Sequence, residues 1–90
     1  MIYSVKYSDE ARKDLKKMDR HQSKRIITWI EKNLIGCTNP RQRGKPLHLD
    51  HKGEWRYRIG VYRLIADIKD NIVTIEIINV GHRKEIYSKR

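Results

Sequence analysis

Glu54-Trp55-Arg56-Tyr57-Arg58-Ile59-Gly60-Val61-Tyr62-Arg63-Leu64-Ile65-Ala66-Asp67 is the stretch whose reading decides the fold of this chain. Trp55, Tyr57 and Ile59 occupy one parity and Arg56 and Arg58 the other, the period-2 pattern of a half-buried strand. Gly60 interrupts the run, after which Tyr62, Leu64, Ala66 and Ile68 alternate with Arg63, Ile65 and Asp67. A two-residue Gly60-Val61 turn of the II′ type, with glycine supplying the positive φ, makes the two runs a hairpin. That register sets Ile59 against Tyr62, Arg58 against Arg63, Tyr57 against Leu64, Arg56 against Ile65 and Trp55 against Ala66. One face of the ribbon is then wholly apolar and the other gathers three arginines. Like charges directly opposed on paired strands are destabilising. Folding therefore gives no reason for Arg58 beside Arg63, whereas an anionic ligand does.

Working outward, Asp70-Asn71 reads as a second two-residue turn, since both residue types tolerate positive φ. It pairs Ile68 with Val73, Ala66 with Ile75 and Leu64 with Ile77 on the apolar face. Across the other face it sets Thr74 against Asp67, Glu76 against Ile65 and Ile78 against Arg63. Upstream, Ile2 to Tyr7 alternate as a strand, with Tyr3, Val5 and Tyr7 on one side. Ser8 is placed as an N-cap before Asp9 and Glu10, and Ala11, Leu15 and Met18 mark the buried face of a short helix. Asp19 with Gln22 resembles a capping box and opens a second helix carrying Ile26, Ile27, Ile30 and Leu34 on one stripe, which Gly36 ends. Residues 37 to 52 read as a basic loop with Leu47 and Leu49 turned inward. The expected fold is α+β: an N-terminal strand and an αα-hairpin packed on a small, mainly antiparallel twisted sheet.

Ninety residues with 38% hydrophobic and 36% charged content make one folded domain, residues 1–90, rather than a disordered chain. The excess of 21 Lys+Arg over 11 Asp+Glu gives +10, which points to a polyanionic partner. Arg41, Arg43, Lys45 and Lys52 lie just ahead of the hairpin arginines and are candidate polyanion-binding residues. The helix cations from Arg12 to Lys32 fall mainly off the apolar stripe and read as a solvated face. Cys37 stands alone, so no internal disulfide framework exists. His48 and His51 lack further ligands nearby in sequence, and no metal or other cofactor is expected. No apolar run is long enough to span a bilayer and no signal-peptide core is present, so a cytoplasmic location is expected.

The W-R-Y-R-I-G-x-Y-R-L run and the ending Val80-Gly81-His82-Arg83-Lys84-Glu85-Ile86-Tyr87, at this spacing and after a strand and two helices, resemble the RelE toxins of the RelE/ParE toxin–antitoxin superfamily. The resemblance covers essentially the whole chain. It implies the RelE-like microbial RNase fold and a metal-independent mRNA endoribonuclease, working in the ribosomal A site against 16S rRNA by 2′-OH attack on the adjacent phosphate. It also implies a hetero-oligomeric complex with an acidic, RelB-like antitoxin, and no membrane partner. By position, Arg56 and Arg58 match basic residues that hold the phosphate, and Arg63 matches the arginine that stabilises transition-state charge. Arg83 matches the leaving-group arginine and Tyr87 the aromatic that stacks on a base.

One departure matters to the chemistry. Arginine does not deprotonate readily, so with Arg at 56 and 58 the general base is unassigned. His82, Glu54 and Lys52 are the alternatives, since imidazole titrates near neutrality. Two other readings fit the same fold. One is a non-enzymatic inhibitor of DNA gyrase, as in the ParE branch; the other is an antitoxin-binding module whose nuclease has decayed.

Overall fold

Ser8 and Asp19 start the two helices in the way their sequence positions predict. In the computed structural model, which describes residues 1–46 and 53–82, Ser8 Oγ accepts the Ala11 N–H at 3.0 Å and α1 spans Asp9–Lys17. Asp19 Oδ2 accepts the Gln22 N–H at 3.2 Å and α2 spans Arg20–Asn33. Each cap satisfies a backbone donor that the first helical turn leaves without a partner. Ala11, Ile26, Ile30 and Leu34 are buried on the shared face, and Leu15, Met18 and Trp29 pack at its margin.

That face lies on a five-stranded sheet of order β1-β5-β4-β3-β2. The strands are β1 (Ser4–Tyr7), β2 (Lys45–Pro46), β3 (Glu54–Ile59), β4 (Tyr62–Lys69) and β5 (Thr74–His82). β1 runs parallel to β5, and the other pairs are antiparallel. Tyr57, Leu64, Ala66, Ile75, Ile77 and Val80 form the sheet's contribution to the core. The α+β class is as the sequence implies. The two-residue β2 lies in what reads as loop from sequence, where Pro46 reaches the edge and Lys45 pairs with Arg56.

The central hairpin has the expected register at every pair, from Glu54 opposite Asp67 to Ile59 opposite Tyr62. Gly60 takes φ +60, and Val61 has no positive φ, as a II′ turn requires. The second hairpin differs. Asp70–Ile72 form a 3₁₀ turn and Val73 adopts the left-handed conformation at φ 50, so the connection has four residues instead of two. Strand pairing moves by two: Ile68 meets Ile75, Asp67 meets Glu76 and Ala66 meets Ile77. A shift of two preserves which side chains share a face.

A second departure does not preserve it. Beyond Ala66 the ladder resumes with Ile65 opposite Asn79, so Ile78 is an extra residue, a β-bulge. Leu64 then meets Val80, Arg63 meets Gly81 and Tyr62 meets His82. The expected pairs of Glu76 with Ile65 and of Ile78 with Arg63 are thereby corrected. Asn79 and Gly81 join the arginine face, while Val80 and His82 join the face under the helices.

Candidate functional site

Alternation along β3 and β4 puts Arg56, Arg58, Arg63 and Ile65 on the sheet face away from the helices. Arg58 is exposed, Arg56 is half-buried, and Arg63, directly opposite Arg58, is only 7% exposed. The Arg63 guanidinium donates through Nη1 to the Tyr62 carbonyl at 3.2 Å. Among the described residues no carboxylate pairs with Arg58 or Arg63. A guanidinium carries five donors in a planar fork suited to a carboxylate or phosphate. Among the described residues, Arg63 thus presents most of that fork without a protein acceptor.

Ile65 and Asn79 lie beside Arg63 on this face, 1% and 5% exposed, and Asn79 Nδ2 is buried without a hydrogen-bond partner among the described residues. At the opposite end of the face Glu54, Asp67 and Glu76 align across β3, β4 and β5, and Lys69 Nζ donates to Glu76 at 3.0 Å. Strand rise of about 3.3 Å per residue puts roughly 13 Å between Arg58 and Glu54. The face is therefore polarised along its length, cationic beside the Gly60 turn and acidic at the far end.

His82 is not with the arginines. Its ring meets Tyr62 edge-on at 6.1 Å between centroids, in a cavity of about 470 Å³ lined also by Asp14, Lys17, Met18 and Asp19 at the end of α1. Asp14 Oδ2 accepts the Val80 N–H there at 2.9 Å. The bulge at Ile78 accounts for the placement, because one added residue turns every later side chain to the other face. Glu54 stays on the arginine face at its acidic end. Arg83, Tyr87 and Lys52, and the inward turn expected of Leu47 and Leu49, lie outside the described residues.

Arg41 is engaged elsewhere. Its guanidinium grips Asp70 in bidentate fashion at 3.1 and 2.9 Å, Tyr3 Oη donates to the same carboxylate at 2.6 Å, and the Trp55 ring lies 6.0 Å from the Arg41 fork. Arg41 and then Tyr3 hold the Asp70 carboxyl below its usual range, and the bond to Asp70 pushes the Tyr3 hydroxyl up. Nearby, Trp55 Nε1 donates to the Arg43 carbonyl at 2.6 Å, and buried Tyr57 Oη donates to the Pro40 carbonyl at 2.6 Å. Burial drives the Tyr57 hydroxyl well above its normal value. These bonds strap residues 40–43 to the sheet. Arg43 on the strap and Lys45 in β2 remain exposed, whereas Arg41 is a clamp within the strap. Burial also raises the Cys37 thiol, which makes it a poor nucleophile.

No cluster of three or more His, Cys, Asp or Glu suited to a metal occurs among the described residues. Nor is any described helix long and apolar enough to cross a membrane. Asn79 is the feature that sequence reasoning missed. A regular ladder would turn it inward, and only the bulge brings it beside Arg63.

Comparison with known proteins follows the same lines. A family profile described as ParE toxin of the type II toxin-antitoxin system parDE matches residues 5–87. Toxin RelG of Mycobacterium tuberculosis is 34% identical over 91 residues, spanning 99% of this chain and 100% of that protein. A chain of the toxin-antitoxin complex RelBE2 from Mycobacterium tuberculosis superposes with a TM-score of 0.79 at 31% identity, covering 92% of this chain and 93% of that one. A chain of the RelB-RelE antitoxin-toxin complex from Methanococcus jannaschii gives 0.69 at 27%, with coverages of 94% and 98%.

Proposed function

The chain belongs to the RelE/ParE superfamily of type II toxins, and on that premise we propose that it is a metal-independent mRNA endoribonuclease acting in the ribosomal A site. The observation that carries this reading is buried Arg63 facing exposed Arg58 with no carboxylate on either among the described residues. Two arginines opposed across a strand pair, with no carboxylate on either among the described residues, oppose folding by like-charge repulsion, and a phosphate between them offsets it.

In the proposed reaction the 2′-oxygen of a ribose attacks the adjacent phosphorus while the bond from phosphorus to the 5′-oxygen breaks. The products are a 2′,3′-cyclic phosphate and a 5′-hydroxyl. Arg56, Arg58 and Arg63 clamp the phosphate and offset the charge that builds on its oxygens, the role of an oxyanion hole. Arg83 hydrogen-bonds the leaving 5′-oxygen, which takes up a proton from solvent as it departs, and Tyr87 stacks on a base. With His82 on the other face, the 2′-OH proton passes to solvent, its loss favoured by the cationic clamp. Exposed Arg43 and Lys45 extend the positive surface toward ribosomal RNA, with Lys52 a further candidate from its place in the sequence. The restraining partner is an acidic, RelB-like antitoxin, in keeping with the solved complexes of RelB with RelE.

The ParE family profile favours one other reading, inhibition of DNA gyrase by protein contact. A single design separates the two. The protein is added to ribosomes programmed with a defined mRNA and, in parallel, to gyrase with supercoiled DNA. Primer extension should reveal new mRNA 5′ ends in the A-site codon, dependent on the ribosome. Intact mRNA together with trapped gyrase cleavage complexes would establish the gyrase reading instead.

A further inference from the structure

Asn79 is the buried polar group that the mechanism above does not use. It is 5% exposed, its Nδ2 has no hydrogen-bond partner among the described residues, and it sits opposite Ile65, one diagonal step from Arg63. Buried side-chain donors without partners are rare in folded proteins, and each calls for a reason. The β-bulge supplies a second, independent pointer. Its extra residue, Ile78, is what leaves Asn79 on the arginine face, and bulges commonly re-aim a side chain beside a functional site. Gly81, directly across from Arg63, carries no side chain. The position between the Arg63 fork and the Asn79 amide is thus not filled from β5.

We infer that Asn79 is a substrate-contacting residue of this face, its amide N–H donating to a non-bridging oxygen of the phosphodiester that Arg63 clamps. The inference rests on the nuclease reading. Arg63 and Asn79 share one face a diagonal step apart, so a phosphodiester held by Arg63 is within reach of the Asn79 amide. An amide complements the arginines in a specific way. It adds a directed donor without a further positive charge on a face where like charges already oppose each other.

Asn79→Leu, close in shape and unable to hydrogen-bond, separates this role from a structural one. Removal of an unsatisfied donor should leave the melting temperature unchanged or raise it. Single-turnover cleavage on saturating programmed ribosomes should fall about 10- to 100-fold, the scale of one hydrogen bond to a charged group, with ribosome affinity unaltered. Asn79→Asp, which sets a carboxylate beside Arg63, should melt no lower than wild type and cleave still less. Wild-type rates in Asn79→Leu would overturn the inference, as would a large fall in melting temperature in both variants, which marks a structural amide. If wild type itself leaves mRNA intact on these ribosomes, the nuclease reading fails and the inference fails with it. If wild type cleaves and Asn79→Leu cleaves equally, only the inference fails.

Discussion

Replacing Arg63 by Met tests whether the arginine face exists for a ligand or for the fold. Met retains a flexible unbranched stem in a site only 7% exposed and removes the charge that faces Arg58. Two unit charges about 6 Å apart repel by about 0.7 kcal/mol in water and about 3 kcal/mol at an effective dielectric of 20. Arg58 is exposed, so a value near the lower end, about 1 kcal/mol, applies. Against this stands one hydrogen bond, Nη1 to the Tyr62 carbonyl at 3.2 Å, worth about 1 kcal/mol net. The two nearly cancel. Arg63→Met should therefore melt within about 5 °C of wild type, since 1 kcal/mol corresponds to roughly 4–8 °C in a domain of this size. Cleavage should behave differently, falling by about 10²-fold or more, as when one oxyanion-type donor is lost. Melting followed by circular dichroism and single-turnover primer extension on programmed ribosomes measure the two quantities on the same preparation. A loss of about 3–5 kcal/mol of stability, the signature of a broken buried ion pair, would refute the reasoning, and so would full activity in a folded variant.

Further outcomes follow from the surrounding contacts. Asp70→Asn should remove about 0.5–1 kcal/mol at neutral pH, a modest figure because the pair with Arg41 is largely solvent-exposed. Since the folded carboxyl is held low, its contribution is present above the ordinary carboxylate range and is lost as pH falls through the folded value, so urea melts of wild type and variant should converge below about pH 4. His82→Gln should leave both the cleavage rate and its pH profile nearly unchanged, because His82 faces Tyr62 and α1; a loss of most activity at saturating ribosome would show that it acts in the reaction. Gly44→Ala places a Cβ against the Arg56 carbonyl and 2.8 Å from Trp55 Nε1 at a φ of +76, and should lower stability by at least about 2 kcal/mol in denaturant titrations.

The central hairpin was legible because a two-residue turn admits one register, and a strictly alternating sequence on both sides of Gly60 agrees with it. The helices were legible through their caps, where Ser8 and Asp19 have the chemistry that a helix start requires. The Asp70-Asn71 turn was misjudged for a reason in the side chains. Asp70 is drawn to Arg41 and Tyr3, partners 29 and 67 residues away, and Val73 accepts a left-handed φ that β-branched residues ordinarily avoid. Nothing local announces either contact. The same blindness made Arg41 look like an available RNA cation. Among basic residues close in sequence, only tertiary structure separates the one gripped by a carboxylate from those left exposed.

The bulge has the greater bearing on function, and its supports lie on the far side of the sheet. The Ser8 N–H donates to the Ile77 carbonyl at 2.9 Å, Ser8 Oγ donates to the Ile78 carbonyl at 2.8 Å, and Asp14 accepts from Val80 N–H at 2.9 Å. Three bonds from the cap and body of α1 thus hold Ile77, Ile78 and Val80 of β5, among them the residue inserted into the ladder. Ser8 both starts the helix and holds the bulge, so helix placement and strand irregularity are one structural event. Through it α1, which contributes no side chain to the arginine face, determines that Asn79 and Gly81 lie there and that His82 does not. A periodic reading of β5 yields the reverse assignment, with a titratable imidazole among the arginines. The geometry instead sets the Asn79 amide and Gly81 beside Arg63, and on the proposed reading that face acts as a clamp by position and charge.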